Sequence, residues 1–167
     1  PLPGPDGHVR PPRASSPGIF PGENTPCNDP SLVRDNPDLR LPETPIVVVA
    51  RKDRSGTTYS FTEHLSHASA KWKERFGAAK YIDWPSRAML APGNEGVAGR
   101  VKRSHGSIGY VQFGIARAAG LPMATLENRA GKFLAPSSSS GIATLANADL
   151  TKQAWPTFPD PQGEQAY

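Results

Sequence analysis

An apolar, β-branched run that stops at a charged turn constrains this chain more than any other feature. Ile46, Val47, Val48 and Val49 lead through Ala50 into Arg51-Lys52-Asp53-Arg54-Ser55-Gly56-Thr57. A short run of this kind, bounded by polar turn residues, reads as a buried strand. Beyond the turn, Thr58, Phe61, Leu65 and Ala68 recur at helical spacing, so the strand feeds a helix that opens at Ser55-Gly56-Thr57. A helix start carries unpaired N–H groups and about half an elementary charge of positive sign. Gly56 has no Cβ to hold an anion away from the backbone. Ser55 and Thr57 bring hydroxyls, and Arg51 brings a planar cationic fork suited to phosphate or carboxylate. Two readings follow. In one, these residues form an oxyanion site. In the other, Ser55 or Thr57 caps its own helix and Arg51 pairs with Asp53 at the surface. The residue types alone leave both open, because Ser, Thr and Gly are ordinary helix-start residues.

The remainder of the chain bounds the alternatives. A length of 167 residues is enough for one domain with a real core. The 19 prolines and 16 glycines imply long irregular segments. A net charge of +4 is compatible with an anionic ligand. The basic residues are dispersed, however, and no zinc spacing, recognition-helix signature or aromatic-basic RNA motif is present, so nucleic acid is not an expected partner. The single cysteine, Cys27, excludes an internal disulfide and reads as a small buried or loop residue. No stretch approaches the roughly 20 apolar residues that span a bilayer. His64 and His67 lie one helical turn apart beside Glu63 but lack a third metal ligand, and read as exposed helix residues. Ser55 has no positioned base within reach, which argues against nucleophilic catalysis. No metal, cofactor or catalytic residue is assigned.

In chain order, Pro1 to Pro17 reads as an extended Pro/Arg-rich leader. Asp29-Pro30 caps a brief helix through about Val33, ended at Asn36-Pro37. Ala70 to Phe76 reads as an amphipathic helix with Trp72 and Phe76 toward the core, stopped by Gly77. Tyr81 to Trp84 alternates weakly like a strand, and Ser86 to Pro92 reads as a loop. Gly93-Asn94-Glu95-Gly96 opens a helix through Val101, with Asn94 and Glu95 as caps and Lys102-Arg103 as its solvated end. Ser107 to Val111 reads as a strand, Phe113 to Ala119 as a helix, and Met123 to Leu126 as a further strand. Ser137 to Ser140 reads as a linker or cap ahead of a helix carrying Ile142, Leu145 and Ala146, and Trp155 to Gln162 as proline-rich coil. Trp72, Trp84 and Tyr110 read as packing residues. Alternating strands and helices predict an α/β domain, a small mixed sheet with helices on both faces. In such sheets ligands collect at the carboxyl ends of strands, where the Arg51–Thr57 turn would lie.

Arg51-x-Asp53-x-Ser55-Gly56-Thr57, followed by Phe61-Thr62 and Leu65, resembles the phosphate-contacting segment of periplasmic phosphate-binding proteins, the PstS-type substrate-binding subunits of phosphate ABC transporters. Further motifs occur in that family's order: Asn28-Asp29-Pro30, Leu41-Pro42, Trp72-Lys73, Trp84-Pro85, Gly93-Asn94-Glu95-Gly96-Val97-Ala98, Gly106-Ser107-Ile108-Gly109-Tyr110-Val111, Asn128-x-Ala130-Gly131-Lys132-Phe133 and Gly163-Glu164. The resemblance runs from about Ile19 to Tyr167. It implies a periplasmic-binding-protein-like lobe, with residues 1–17 a leader and 18–167 the family's second lobe, the first lobe being absent. It implies binding of inorganic phosphate through Arg51, Ser55, Gly56 and Thr57, with Asp53 bracing Arg51, no catalysis, and an ABC transporter permease as protein partner in a periplasmic, extracellular or membrane-associated setting. Ser55 would offer its hydroxyl and its backbone N–H. The alternative is a PstS-like structural module in a larger assembly, without transport. Arg54 departs from the family pattern, which usually has glycine there; a bulky cation at that point attracts the anion or crowds the mouth, and resists a positive φ.

Overall fold

The computed structural model describes residues 9–11, 16–21 and 25–146. Most of the Pro1–Pro17 leader and all of the Trp155–Gln162 coil lie outside those residues. Helices α1 (Ser16–Ile19) and α2 (Pro30–Asp35) precede strand β1 (Val47–Arg51). Helices α3 (Gly56–Ala68) and α4 (Ala70–Arg75) lead to β2 (Met89–Ala91), and α5 (Gly93–Arg103) leads to β3 (Ser107–Gly109). Helix α6 (Phe113–Ala118), the hairpin strands β4 (Leu126–Glu127) and β5 (Phe133–Leu134), and α7 (Ser138–Ala146) follow.

The valine run is the middle strand of a parallel sheet of order β2-β1-β3. Val49 to Arg51 pair with Met89 to Ala91 on one side, and Val47 to Val49 with Ser107 to Gly109 on the other. The chain therefore steps outward from β1 to β2, then back across β1 to β3. Side chains alternate along β1. Val48 and Ala50 join Leu65, Trp72, Ile82, Trp84 and Tyr110 in one core, roofed by α3 and α4. Val49 points to the opposite face and packs with Ala91, Val97 and Val101 beneath α5. A strand buried on both faces must be apolar at every position, which is why it reads as a continuous run. The expected α/β class with helices on both faces is observed. Each strand-to-strand connection in the main sheet passes through a helix, which makes all its strands parallel; antiparallel pairing between named strands is confined to β4–β5.

Most element assignments agree with the sequence pattern. Asp29 caps α2 by accepting the Ser31 N–H at 2.9 Å. Trp72 is buried with the Phe76 ring 4.6 Å away, and Gly77, at φ +61°, ends that segment. Ser69 closes α3 by donating its N–H to the Leu65 carbonyl and opens α4 by accepting the Trp72 N–H. Three segments differ. Tyr81 to Trp84 forms no strand; Ile82 and Trp84 are buried core anchors, so their alternation reports packing without pairing. The Ser86–Pro92 stretch contains β2, an edge strand of three residues, too short to show a period, with Met89 and Leu90 exposed. Of Met123 to Leu126, only Leu126 lies in a strand, β4.

The two-sided core needs close approach between α5 and the sheet, and Gly109 supplies it. A Cβ there would lie 2.9 Å from the Val49 carbonyl oxygen and within 3.1 Å of both Val97 and Val101 side chains. Because one of these neighbours is strand backbone, it cannot move aside. Gly109→Ala is expected to destabilise the protein by about 1–3 kcal/mol, read as a lower urea midpoint; an unchanged midpoint would contradict the packing described here.

Candidate functional site

Arg51 is the last residue of the central strand, and its position is fixed from both ends of the side chain. Its backbone N–H donates to the Tyr110 hydroxyl at 3.3 Å. That hydroxyl also meets Thr58 Oγ1 at 2.9 Å, so one phenol just past β3 ties the end of β1 to the first turn of α3. Burial raises the Tyr110 pKa, which keeps the phenol neutral in this network. The Arg51 side chain runs into the protein and is only 9% exposed. Its Nε donates to Asp53 Oδ1 at 2.9 Å and its Nη2 to Asp53 Oδ2, a two-point ion pair. Nη1 donates to Asn94 Oδ1 at 3.4 Å. Guanidinium carries five N–H donors; three are committed and two remain.

Asp53 is the joint between two helix starts. Besides Arg51, its Oδ1 accepts the Gly93 N–H at 3.0 Å, at the first residue of α5. The hydrogen bonds from Arg51, then that from Gly93, hold its carboxyl well below the usual carboxylate range. The same pairing raises the Arg51 pKa, so both charges persist at neutral pH. Asn94, the next residue of α5, accepts the Gln112 N–H at 3.3 Å as well as the Arg51 contact. The segments that follow all three strands of the main sheet are thereby joined by two side chains, Asp53 and Asn94.

The cap and the ion pair of the second sequence reading are both present. Ser55 is the N-cap of α3, its Oγ accepting the Thr58 N–H at 3.3 Å. Arg51 does pair with Asp53, but buried rather than at the surface. One expected donor is not available: the Ser55 N–H is committed to the Lys80 carbonyl at 2.8 Å, because the 77–85 segment packs along the start of α3. Ser55 keeps its hydroxyl proton. The Gly56 and Thr57 N–H groups have no hydrogen-bond partner among the described residues, as expected for a first helical turn. Gly56 is exposed, and a Cβ built on it meets nothing within 4 Å. Arg54 is exposed, and no described non-glycine residue has a positive φ, so the backbone there does not require glycine. The turn thus offers two guanidinium N–H groups, two main-chain N–H groups and the Ser55 and Thr57 hydroxyls, next to a permanent cation. That donor set matches a tetrahedral oxyanion.

Other candidates fall away. No group of three or more His, Cys, Asp or Glu suited to a metal occurs among the described residues. His67 Nδ1 bonds the Glu63 carbonyl at 2.9 Å. Glu63, read as exposed, is buried, and His64 is half-buried. Cys27 is buried and its thiol pKa is raised by desolvation, as befits a packing residue. Lys102 donates to the Ala119 carbonyl at the exposed end of α5. An apolar cavity of about 400 Å³ lies against Phe61, Leu65, Ile108, Val111 and Phe113, and none of the turn residues from Arg51 to Thr57 lines it. No helix among the described residues is long and apolar enough to cross a membrane. The sequence reads Tyr110 as core or rim packing and Asn94 as a cap or a residue beside the cleft; α5 has no side-chain cap bond, and both residues instead hold Arg51. The one available signal was their place just after β3 and β2, at the sheet edge where ligands collect.

The carboxyl edge of the parallel sheet thus carries two joined helix starts and a braced arginine, in an α/β fold of the kind that collects ligands at that edge. Residues 18–164 match the family described as the PBP superfamily domain, and the chain belongs to that family. The phosphate-binding protein PstS of Pasteurella multocida is 43% identical over 130 residues, which are 78% of this chain and 38% of that protein. PstS of Methanocaldococcus jannaschii is 38% identical over 134 residues, 77% of this chain and 34% of that one. The chain thus spans a little over a third of the length of the curated relatives it matches. Among solved structures, PstS from Borrelia burgdorferi superposes with a TM-score of 0.57 at 16% identity, covering 82% of this chain and 47% of that one. A high-affinity periplasmic phosphate-binding protein bound with phosphate superposes at 0.56 and 23% identity, covering 82% and 38%. These superpositions share the fold.

The ion pair gives the site an acid limit. Asp53 has its folded pKa depressed, so its contribution to stability is fully present above its unfolded value near 3.8 and is lost as pH falls toward the folded one. The Asp53 side chain is 40% exposed, so screening keeps the contribution small. Wild type should exceed Asp53→Asn in urea midpoint between about pH 5 and 7, with the gap closing below about pH 4. A gap that stays constant into strong acid would show that the pairing does not perturb the carboxyl.

Proposed function

We propose that the β1–α3 turn binds inorganic phosphate as one lobe's share of a two-lobed binding protein for ABC-type phosphate import. The observation that carries this reading is the buried Arg51 guanidinium, locked by Asp53 beside an open helix start, with donors left over. A guanidinium already fixed in place loses little freedom when an anion arrives. In this reading Arg51 supplies charge-assisted N–H donors. Ser55 gives its hydroxyl, Gly56 and Thr57 their N–H groups, and Thr57 a second hydroxyl. Asp53 supports Arg51 and does not touch phosphate. Residues 18–167 form the second lobe and residues 1–17 a leader to it. The names of the relatives specify phosphate binding rather than assembly, which favours this reading over that of a structural module. The chain binds without turning over its ligand, since nothing near Ser55 serves as base. A transporter permease as partner, and a periplasmic or extracellular setting, follow from the same kinship.

The affinity of this lobe alone should be modest. Micromolar binding needs about 8 kcal/mol. Each desolvated charge-assisted hydrogen bond contributes about 1.5–3 kcal/mol, and association itself opposes binding by at least ~4 kcal/mol. A half-site open to water on one side therefore reaches about millimolar affinity or weaker, and tight binding requires a second lobe.

Phosphate titration followed by ³¹P NMR tests the assignment. Wild type should give a saturable response in the millimolar range, and Arg51→Ala should weaken it at least about tenfold. Gly56→Ala is a second probe. The added methyl meets no protein atom and should leave thermal stability unchanged or slightly higher. It should still weaken phosphate binding, because it stands on the face the anion would use. No saturable response from wild type, or equal responses from wild type and both variants, would overturn the proposal.

A further inference from the structure

Asn94 of α5 hydrogen-bonds both the end of β1 and the segment that follows β3. Its Oδ1 accepts from Arg51 Nη1 at 3.4 Å and from the Gln112 N–H at 3.3 Å, and the residue before it, Gly93, donates its N–H to Asp53. We propose that Asn94 is a positioning residue for the Arg51 guanidinium, holding the edge that Asp53 leaves free.

The argument is geometric. Asp53 lies two residues from Arg51 on the same turn, so a bond between them fixes the guanidinium relative to the turn only. The Arg51–Asp53 pair is still able to swing as one body unless another element holds it. Two bonds to α5 do so, Gly93 N–H to Asp53 and Arg51 to Asn94, and they act on opposite sides of the guanidinium. Gln112 then prevents the Asn94 amide from rotating, because a flipped amide would present N–H to N–H at both contacts. The residue type fits the task. An amide oxygen accepts from guanidinium without adding a second negative charge beside a bound anion, whereas a carboxylate would hold Arg51 equally well and repel the ligand. Asn94 thus fixes the cation while keeping the site's net charge favourable.

For its binding readout this inference rests on the phosphate reading; for its structural readout it does not. In the full chain without phosphate, ¹⁵N NMR of the Arg51 side chain reads rotation about the Nε–Cζ bond. Asn94→Ala should speed exchange of the Nη protons at least about fivefold, and Asn94→Asp, which keeps the acceptor, should leave it slow. Should Asn94→Ala fail to fold, Asn94→Ser serves, since its shorter side chain falls away from Nη1. Unchanged exchange in the folded variant overturns the proposal. In phosphate titrations, Asn94→Ala should weaken binding about fivefold in the wild-type background and less than about twofold in Arg51→Ala, because a residue that acts through Arg51 has nothing to position once Arg51 is gone. Asn94→Asp should weaken phosphate despite its slow exchange. Equal losses from Asn94→Ala in both backgrounds overturn the proposal. A wild type that shows no phosphate response overturns the phosphate reading instead, and the exchange measurement then decides the role of Asn94 by itself.

Discussion

The site is organised by one ion pair whose cation is buried. Placing the Arg51 guanidinium inside the protein removes its hydration, and a cation so treated is tolerable only if its donors find acceptors. Asp53 answers with two oxygens, and the Gly93 N–H stabilises the carboxylate in turn. The arrangement is not there mainly for stability, since the Asp53 carboxylate is partly exposed and solvent screens the pairing. What it provides is a cation of fixed orientation with N–H groups still unengaged. The fold serves that outcome: the strand is buried on both faces, its end is bonded through Tyr110 to α3, and α3 opens at Gly56 on the turn that Arg51 begins.

Parallel topology explains why the neighbours of Arg51 come from so far along the chain. Every strand of the main sheet runs the same way, so every following segment begins at the same edge. Asp53, Gly93, Asn94, Tyr110 and Gln112 all lie just beyond a strand end. A single carboxylate and a single amide are then enough to join three connections. The apolar cavity by β3 has none of this convergence of polar groups.

How much of this was legible depended on whether the deciding interactions were local. β1 was legible because burial on two faces forces an unbroken apolar run. β2 was not, because three apolar residues are too few to show a period and only pairing with β1 makes them a strand. Ile82 and Trp84 alternate as a strand would, yet their burial comes from filling the core under α3 and α4. At the site, Arg51 and Asp53 stand two apart on one turn, so their pairing was readable from spacing. The Ser55 N–H was assigned as a free donor because the Lys80 carbonyl that takes it lies 25 positions later. Asn94 and Tyr110 reach Arg51 across 43 and 59 positions, separations no local pattern encodes.

The tight seat of α5 on the sheet carries a consequence for how the anion turn is tuned. With Gly109 flush against Val97 and Val101, that helix has no slack to slide along the strands. The distance from its first residue to Asp53 is thereby dictated by an oily joint on the reverse side of the molecule. Trading one methyl for another in that joint would shift the Gly93–Asp53 bond, leaving every charged group untouched.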